Sequence, residues 1–150
     1  MDALIEERQP ARVLEWGGGG STLYWPARHP AIDWWTVEND ARWAKAIRAR
    51  MPRNVTLLER QPPEYYDLRV DEVGAFELII VDGSPGQWRV FCLDAARRLL
   101  MPGGVAVLHD SFNPRHYPAR EMYHVVTELC APDKRGRRGL MIFSDPKGQR

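Results

Sequence analysis

The chain repeats one alternation: a short apolar run that ends at a polar residue, then a longer stretch whose apolar positions recur at helical spacing. Such runs predict strands near Arg12–Trp16, Asp33–Glu38, Val55–Glu59, Phe76–Asp82 and Gly104–His109, with a weaker one near Leu140–Ser144. Helices are expected near Thr22–Arg28, Asp40–Met51, Gln87–Leu100 and Pro118–Leu129. In the second of these, Trp43, Ala46, Ile47 and Ala49 or Arg50 approximate one apolar stripe. Pro52, Pro102 and Gly103 supply stops. Gln61-Pro62-Pro63 reads as a loop, because proline fits neither a central strand nor a helix interior. Strands alternating with helices define an α/β chain, a three-layer sandwich around a mostly parallel, doubly wound sheet.

Composition narrows the class. The 150 residues, 44% hydrophobic and 27% charged, suit a single globular domain, 1–150, with a real core. A net charge of +1 argues against a broad grip on nucleic acid, and the basic cluster Lys134, Arg135, Arg137 and Arg138 reads as a solvated loop. No apolar run is long enough to span a bilayer, and the first residues lack a signal-peptide core, so a cytoplasmic protein is expected. Cys92 and Cys130 lie far apart without partners at ligand spacing and are expected as buried thiols.

In a sheet of this kind ligands sit outside the carboxyl ends of the strands, where Glu15, Glu38, Glu59, Asp82, His109 and Asp110 fall. The run ending in Glu15-Trp16 breaks into four consecutive glycines, Gly17 to Gly20, followed by Ser21 and Thr22. Glycines let a backbone approach a ligand closely; the structural alternative is a flexible surface turn. Trp34-Trp35-Thr36-Val37 then ends in Glu38, near the ~20-residue spacing at which a nucleotide-binding unit places its ribose acid. The dinucleotide fingerprint starting at Gly17 would need glycine where Thr22 stands, and Glu15 would repel a pyrophosphate.

Taken in order, these motifs resemble those of class I S-adenosylmethionine-dependent methyltransferases, from about Arg12 to Pro114. Val13 to Ser21 is similar to that family's first motif, an acid followed by Gly-x-Gly-x-Gly, with Ser21 at the last glycine's place. Thr36-Val37-Glu38 is similar to the second motif, Phe76 to Gly83 to the fourth, and Leu99 to Gly104 to the turn before the fifth strand. The resemblance implies S-adenosyl-L-methionine as cofactor. Amides of Gly17, Gly18, Gly19 and Gly20 would take its carboxylate, with Ser21 and Thr22 completing the loop, and Glu15 its ammonium group. Glu38 would accept from the ribose hydroxyls, and Glu59, Asp82, Gly83 and Ser84 would border the adenine.

On the acceptor side, Asp82, His109 and Asp110 are expected to cluster, with His109 or Asp110 as general base or His109 as a structural histidine. Asp82 with Asp110-Ser111 is also similar to the Mg2+ site of catechol-type O-methyltransferases, where an Asn stands in place of Ser111. Two carboxylates without a cation repel, which favours a metal; the alternative is that both cap loops. The segments starting at Asp82 and Asp110 resemble small bacterial enzymes that methylate sugars or metabolites, so a small-molecule or sugar acceptor is expected. Arg89 and Arg115 read as surface arginines or, if they face the cleft, as forks for an anionic acceptor. Asp82-Gly83-Ser84-Pro85 does not match the motif of amino-methylating nucleic-acid enzymes. The family's sheet ends in a two-stranded hairpin, but only about twenty residues follow Leu129, room for one strand. A sheet lacking its last strand is therefore expected, with a homodimer as one way to complete an open acceptor pocket. Aminopropyl transfer, and a non-catalytic cofactor-binding module that completes a partner, stay open as rivals.

Overall fold

Each of the expected parallel strands forms: β1 (Arg12–Trp16), β2 (Asp33–Glu38), β3 (Val55–Glu59), β4 (Phe76–Val81) and β5 (Leu100–His109). The computed structural model describes residues 1–83, 85–129 and 139–147. Helix α1 (Asp2–Arg8) precedes them, and α2 (Gly20–Arg28), α3 (Ala41–Arg48), α4 (Val70–Val73) and α5 (Arg89–Leu99) lie between them. With β6 (Tyr123–Glu128) and β7 (Leu140–Pro146) the strands make one seven-stranded sheet, ordered β3-β2-β1-β4-β5-β7-β6. The first five pair in parallel, and β7 runs antiparallel to both β5 and β6.

Period-two alternation sorts the core into two layers. Leu14, Trp16, Ile79, Val81, Ala106 and Leu108 face α5, meeting Cys92, Leu93, Ala96 and Leu99. Val13, Trp34, Leu78, Ile80, Val105 and Val107 face the other way, where Leu4 and Ile5 of α1 join them. Both faces are covered, as the near-continuous apolar strands require.

The expected helix over Pro118–Leu129 is corrected. A 3₁₀ segment, Pro114–Met122, carries the chain to β6, which supplies the strand the sheet was expected to lack. Val125, Val126 and Thr127 are β-branched and favour a strand; Val126 pairs with Phe143 and Thr127 with Ile142. Buried Tyr123 donates from its hydroxyl to the Leu93 carbonyl at 2.7 Å, fixing the start of β6 against α5. Strand β5 also begins earlier than expected. Phe76 pairs with Leu100, the register shifts, and Leu78 pairs with Val105, so Pro102 and Gly103 sit in an irregularity of the strand rather than before it. Cys92 is buried as expected, whereas Cys130 and the Lys134–Arg138 cluster lie outside the described residues.

Candidate functional site

Sheet order reverses between β1 and β4, and polar chemistry collects where open α/β sheets hold ligands, beyond the carboxyl ends of those strands. A cavity of about 870 Å³ opens there, lined by Gly17 to Ser21, by Glu38, Asn39, Asp40, Arg42 and Trp43, and by Asp82 and Pro85. Its volume is that of a site for a small organic ligand.

The glycine loop is built differently from its sequence reading. Gly17 has φ +93°, and a Cβ there would come within 2.5 Å of Gly83 Cα; one on Gly18 would lie 2.6 Å from Ile47 Cδ1. These two glycines therefore let the protein pack on itself. Their amides are also engaged: Gly17 N–H donates to the Val37 carbonyl at 2.9 Å, Gly18 N–H to Glu38 Oε2 at 2.9 Å and Gly19 N–H to Thr22 Oγ1 at 2.9 Å. Gly20 has open space around it, and α2 begins here, so the amides of Gly20 and Ser21 have no carbonyl partner inside the helix. An anion at this loop would meet those two amides first.

Glu15 is fully buried behind the loop and does not line the cavity. Its Oε2 accepts from Thr22 Oγ1 at 2.7 Å, Trp34 Nε1 at 3.2 Å and Thr36 Oγ1 at 3.3 Å, and its Oε1 accepts from the Ser21 hydroxyl. Burial pushes its pKa up, against the pull of those donors. Of the expected hold on a ligand ammonium, through hydrogen bonds or a water, the structure leaves no direct contact: Glu15 fixes Ser21 and Thr22 of α2 from beneath. Strand parity is the reason, since Glu15 shares the sheet face of Trp34 and Thr36, with Thr36 opposite it in the ladder.

Glu38, 5% exposed, reaches the cavity wall from the end of β2. Its Oε1 accepts from the amides of Asn39 and Asp40, at 2.8 and 2.7 Å. Asp40 caps α3, accepting from the amides of Arg42 and Trp43 at 2.9 Å each. Trp43 Nε1 donates to the Gly18 carbonyl at 2.6 Å and so ties α3 to the loop. Asn39, Asp40, Arg42 and Trp43 were not expected at the site, Trp43 having been given to the apolar stripe of the helix, although Asp40 before that stripe is an N-cap signal. Glu59 does not line the cavity; it lies 3.5 Å from Arg48 in an ion pair. Gly83 is packed behind the rim, where a Cβ would overlap the hydroxyl of buried Tyr65, and that hydroxyl has no hydrogen-bond partner among the described residues.

Asp82, His109 and Asp110 do come together, with ligand atoms within 4.8 Å of one another. His109 Nδ1 lies 3.1 Å from Asp82 Oδ1 and 3.5 Å from Asp110 Oδ1. The adjacent Asp82 carboxylate raises the His109 pKa above its ordinary 6.5, partly opposed by burial. Asp82 touches the cavity; His109 and Asp110 lie beyond it, off the lining. Arg89 is the residue that sequence reasoning misplaced. Only 8% exposed, it sends Nη2 to Asp82 Oδ1 at 3.1 Å and Nη1 to Asp110 Oδ2 at 3.3 Å. It also donates to the carbonyls of Gly83, His109 and Asp82 at 2.9, 2.7 and 3.1 Å. The repulsion that favoured a metal is answered by this guanidinium. Ser111 does not complete a metal site either: it is 1% exposed, while the side chains of Asp82 and Asp110 are 41% and 38% exposed. The described residues therefore do not fit a catechol-type Mg2+ centre.

His116, also buried, bridges the two strand-end segments, with Nδ1 3.2 Å from the Asp110 carbonyl and Nε2 3.1 Å from the Gly86 carbonyl. Burial lowers its pKa. Arg115 is exposed and adds nothing to the cluster.

Solved structures share this architecture. The O-methyltransferase TomG of Streptomyces achromogenes, involved in tomaymycin synthesis and solved with S-adenosylmethionine, matches with TM-score 0.78 and 21% identity, over 95% of this chain and 77% of its own. An O-methyltransferase of Bacillus cereus, in complex with S-adenosylhomocysteine, matches with TM-score 0.73 and 20% identity, over 93% and 76%. Spermidine synthase of Thermotoga maritima follows with TM-score 0.67 and 18% identity, over 90% of this chain and 53% of its own. No protein-family model and no curated protein sequence matches the chain. These likenesses establish the fold, that of the Rossmann-like methyltransferases.

Proposed function

We propose that the chain is an S-adenosylmethionine-dependent methyltransferase acting on an oxygen of a small molecule, sugars included. One observation carries this reading: a ligand-sized cavity at the β1/β4 switch point has Glu38 and the glycine loop on one wall and Asp82, leading to His109, on the other. Both O-methyltransferase neighbours, one with S-adenosylmethionine and one with S-adenosylhomocysteine, support it.

Bound S-adenosylmethionine supplies an electrophilic methyl on a sulfonium. Glu38 accepts from the ribose hydroxyls, and the amides of Gly20 and Ser21 take the methionine carboxylate. The Asp82 carboxylate, 3.1 Å from His109 Nδ1, favours the charged ring that forms when Nε2 takes the acceptor's hydroxyl proton. As the oxygen–methyl bond forms and the sulfur–methyl bond breaks, that proton passes to Nε2, leaving S-adenosylhomocysteine. We take residues 1–150 as one domain working in the cytoplasm; β6 completes the sheet within one chain, and a second copy would serve only to close the acceptor pocket. None of the described helices is long and apolar enough to cross a membrane.

Calorimetry with S-adenosylmethionine and S-adenosylhomocysteine tests the reading: saturable heat is expected with both, and no heat at millimolar ligand overturns it. Release of S-adenosylhomocysteine across a panel of hydroxyl acceptors then separates an enzyme from a binding module. Heat only with the decarboxylated cofactor would move the reading to aminopropyl transfer.

A further inference from the structure

We propose that Arg89 is a built-in counter-ion, standing where a divalent metal would bridge Asp82 and Asp110, so that these strand-end acids work without a metal ion. The proposal deepens the methyltransferase reading and rests on it.

The observation is a single buried guanidinium whose donors are spent on two strand ends. Arg89 opens α5, and the next turn of that helix buries Cys92 and Leu93 in the core, which holds the arginine's stem in place. From there it reaches the carbonyls of Asp82 and Gly83 after β4 and of His109 at the end of β5, at 2.7 to 3.1 Å. The same fork meets one oxygen of each carboxylate, at 3.1 and 3.3 Å. Main-chain bonds fix where the charge sits, and the carboxylates then align to it.

Charge counting favours the same conclusion. Asp82 and Asp110 bring two negative charges; Arg89 cancels one, and His109 in its protonated form cancels the other. The cluster is therefore neutral once His109 has taken a proton. A divalent ion would add surplus positive charge beside a guanidinium that cannot lose its proton. In this arrangement Arg89 is a positioning residue: it holds Asp82 against His109 Nδ1, and the base replaces a metal as the means of removing the acceptor's proton.

Mn2+, used as the probe for its paramagnetism, tests the idea without knowledge of the acceptor. Wild-type protein titrated with Mn2+ to millimolar concentration is expected to bind none at these residues. Binding that disappears in Asp82→Asn overturns the proposal, whether or not any Arg89 variant folds. Arg89→Gln, judged folded by circular dichroism, is expected to gain about tenfold or more in Mn2+ affinity, lost again when Asp82→Asn is added. A folded Arg89→Gln with no gain overturns the proposal, since a purely structural arginine would uncover no cation site. The methyltransferase reading is checked separately by S-adenosylmethionine calorimetry on the wild type, so its failure leaves the Mn2+ result readable.

Discussion

Gly17 and Gly83 meet backbone to backbone across the gap between β1 and β4, so close that a Cβ on Gly17 would come within 2.5 Å of Gly83 Cα. The two loops that frame the cavity are thus locked to each other before any ligand arrives. Gly17→Ala would strain a φ of +93° and push this contact apart, for an expected loss of about 2–4 kcal/mol in urea unfolding. Gly20→Ala is the contrast. None of the described residues stands within 4 Å of its Cβ position, and it begins a helix, so stability should hold or rise by about 0.5–1 kcal/mol. If the cofactor's carboxylate occupies that space, affinity for S-adenosylmethionine falls in Gly20→Ala while the protein stays folded. Equal affinity would clear Gly20 of ligand contact.

Beneath that loop, Glu15 is a buried carboxyl met by four side-chain donors. Glu15→Ala leaves those donors unpaired and should cost about 3–5 kcal/mol. Glu15→Gln keeps the shape and should cost about 1 kcal/mol or less near neutral pH. The sign follows from burial: a folded-state pKa raised above 4.5 means the native protein holds the proton more tightly than the unfolded chain. This contribution to stability is whole below 4.5 and is lost as pH rises through the folded value. Chemical unfolding of wild type and Glu15→Gln across pH checks it, because the glutamine variant should lack that loss.

Much of this frame was legible in the chain. Val13-Leu14, Leu78-Ile79-Ile80 and Val105-Ala106-Val107 are apolar on both parities, as strands covered on two faces must be, and their polar ends mark the site. What misled was local. The helix expected over Pro118–Leu129 overlaps β6, although Val125-Val126-Thr127 is β-branched, because its pairing partner, β7, is distant in sequence. Arg89 was illegible for a related reason: its partners are oxygens gathered from the ends of β4 and β5, and no spacing in the sequence shows that meeting. The hint available was chemical, since two aspartates at neighbouring strand ends call for a cation, and an arginine opens the helix that follows the first.

Glu38 carries the ribose assignment, and its other contacts dictate how to test it. Glu38→Ala would strand the amides of Gly18, Asn39 and Asp40, so a weaker cofactor could reflect a collapsed loop. Glu38→Gln keeps an acceptor oxygen for some of these amides while removing the charge. Calorimetry should show S-adenosylmethionine binding weakened by about 1.5–3 kcal/mol in both variants, with the unfolding midpoint falling mainly in the alanine. An unchanged affinity in Glu38→Gln would remove the carboxylate from ribose recognition.

In the proposed reaction His109 takes the acceptor's proton, and its titration can be followed in the free protein. Asp82 and Asp110 press on Nδ1 in favour of the charged ring, while Arg89 and partial burial oppose it, and the balance raises the pKa above 6.5. Ionisation of His109 therefore stabilises the native state below 6.5, and this contribution fades as pH climbs through the raised value. With its side chain 45% exposed, the effect on stability is muted by solvent, and the ring's own resonance is the better readout. Proton NMR of the ring Cε1–H should place the wild-type midpoint above that of Asp82→Asn, which lacks the largest cause of the shift. A base that must be neutral to accept a proton then gives turnover that rises with pH through the His109 midpoint, and Asp82→Asn should move that rise to lower pH. If the rise stays in place while the NMR midpoint moves, another group accepts the proton.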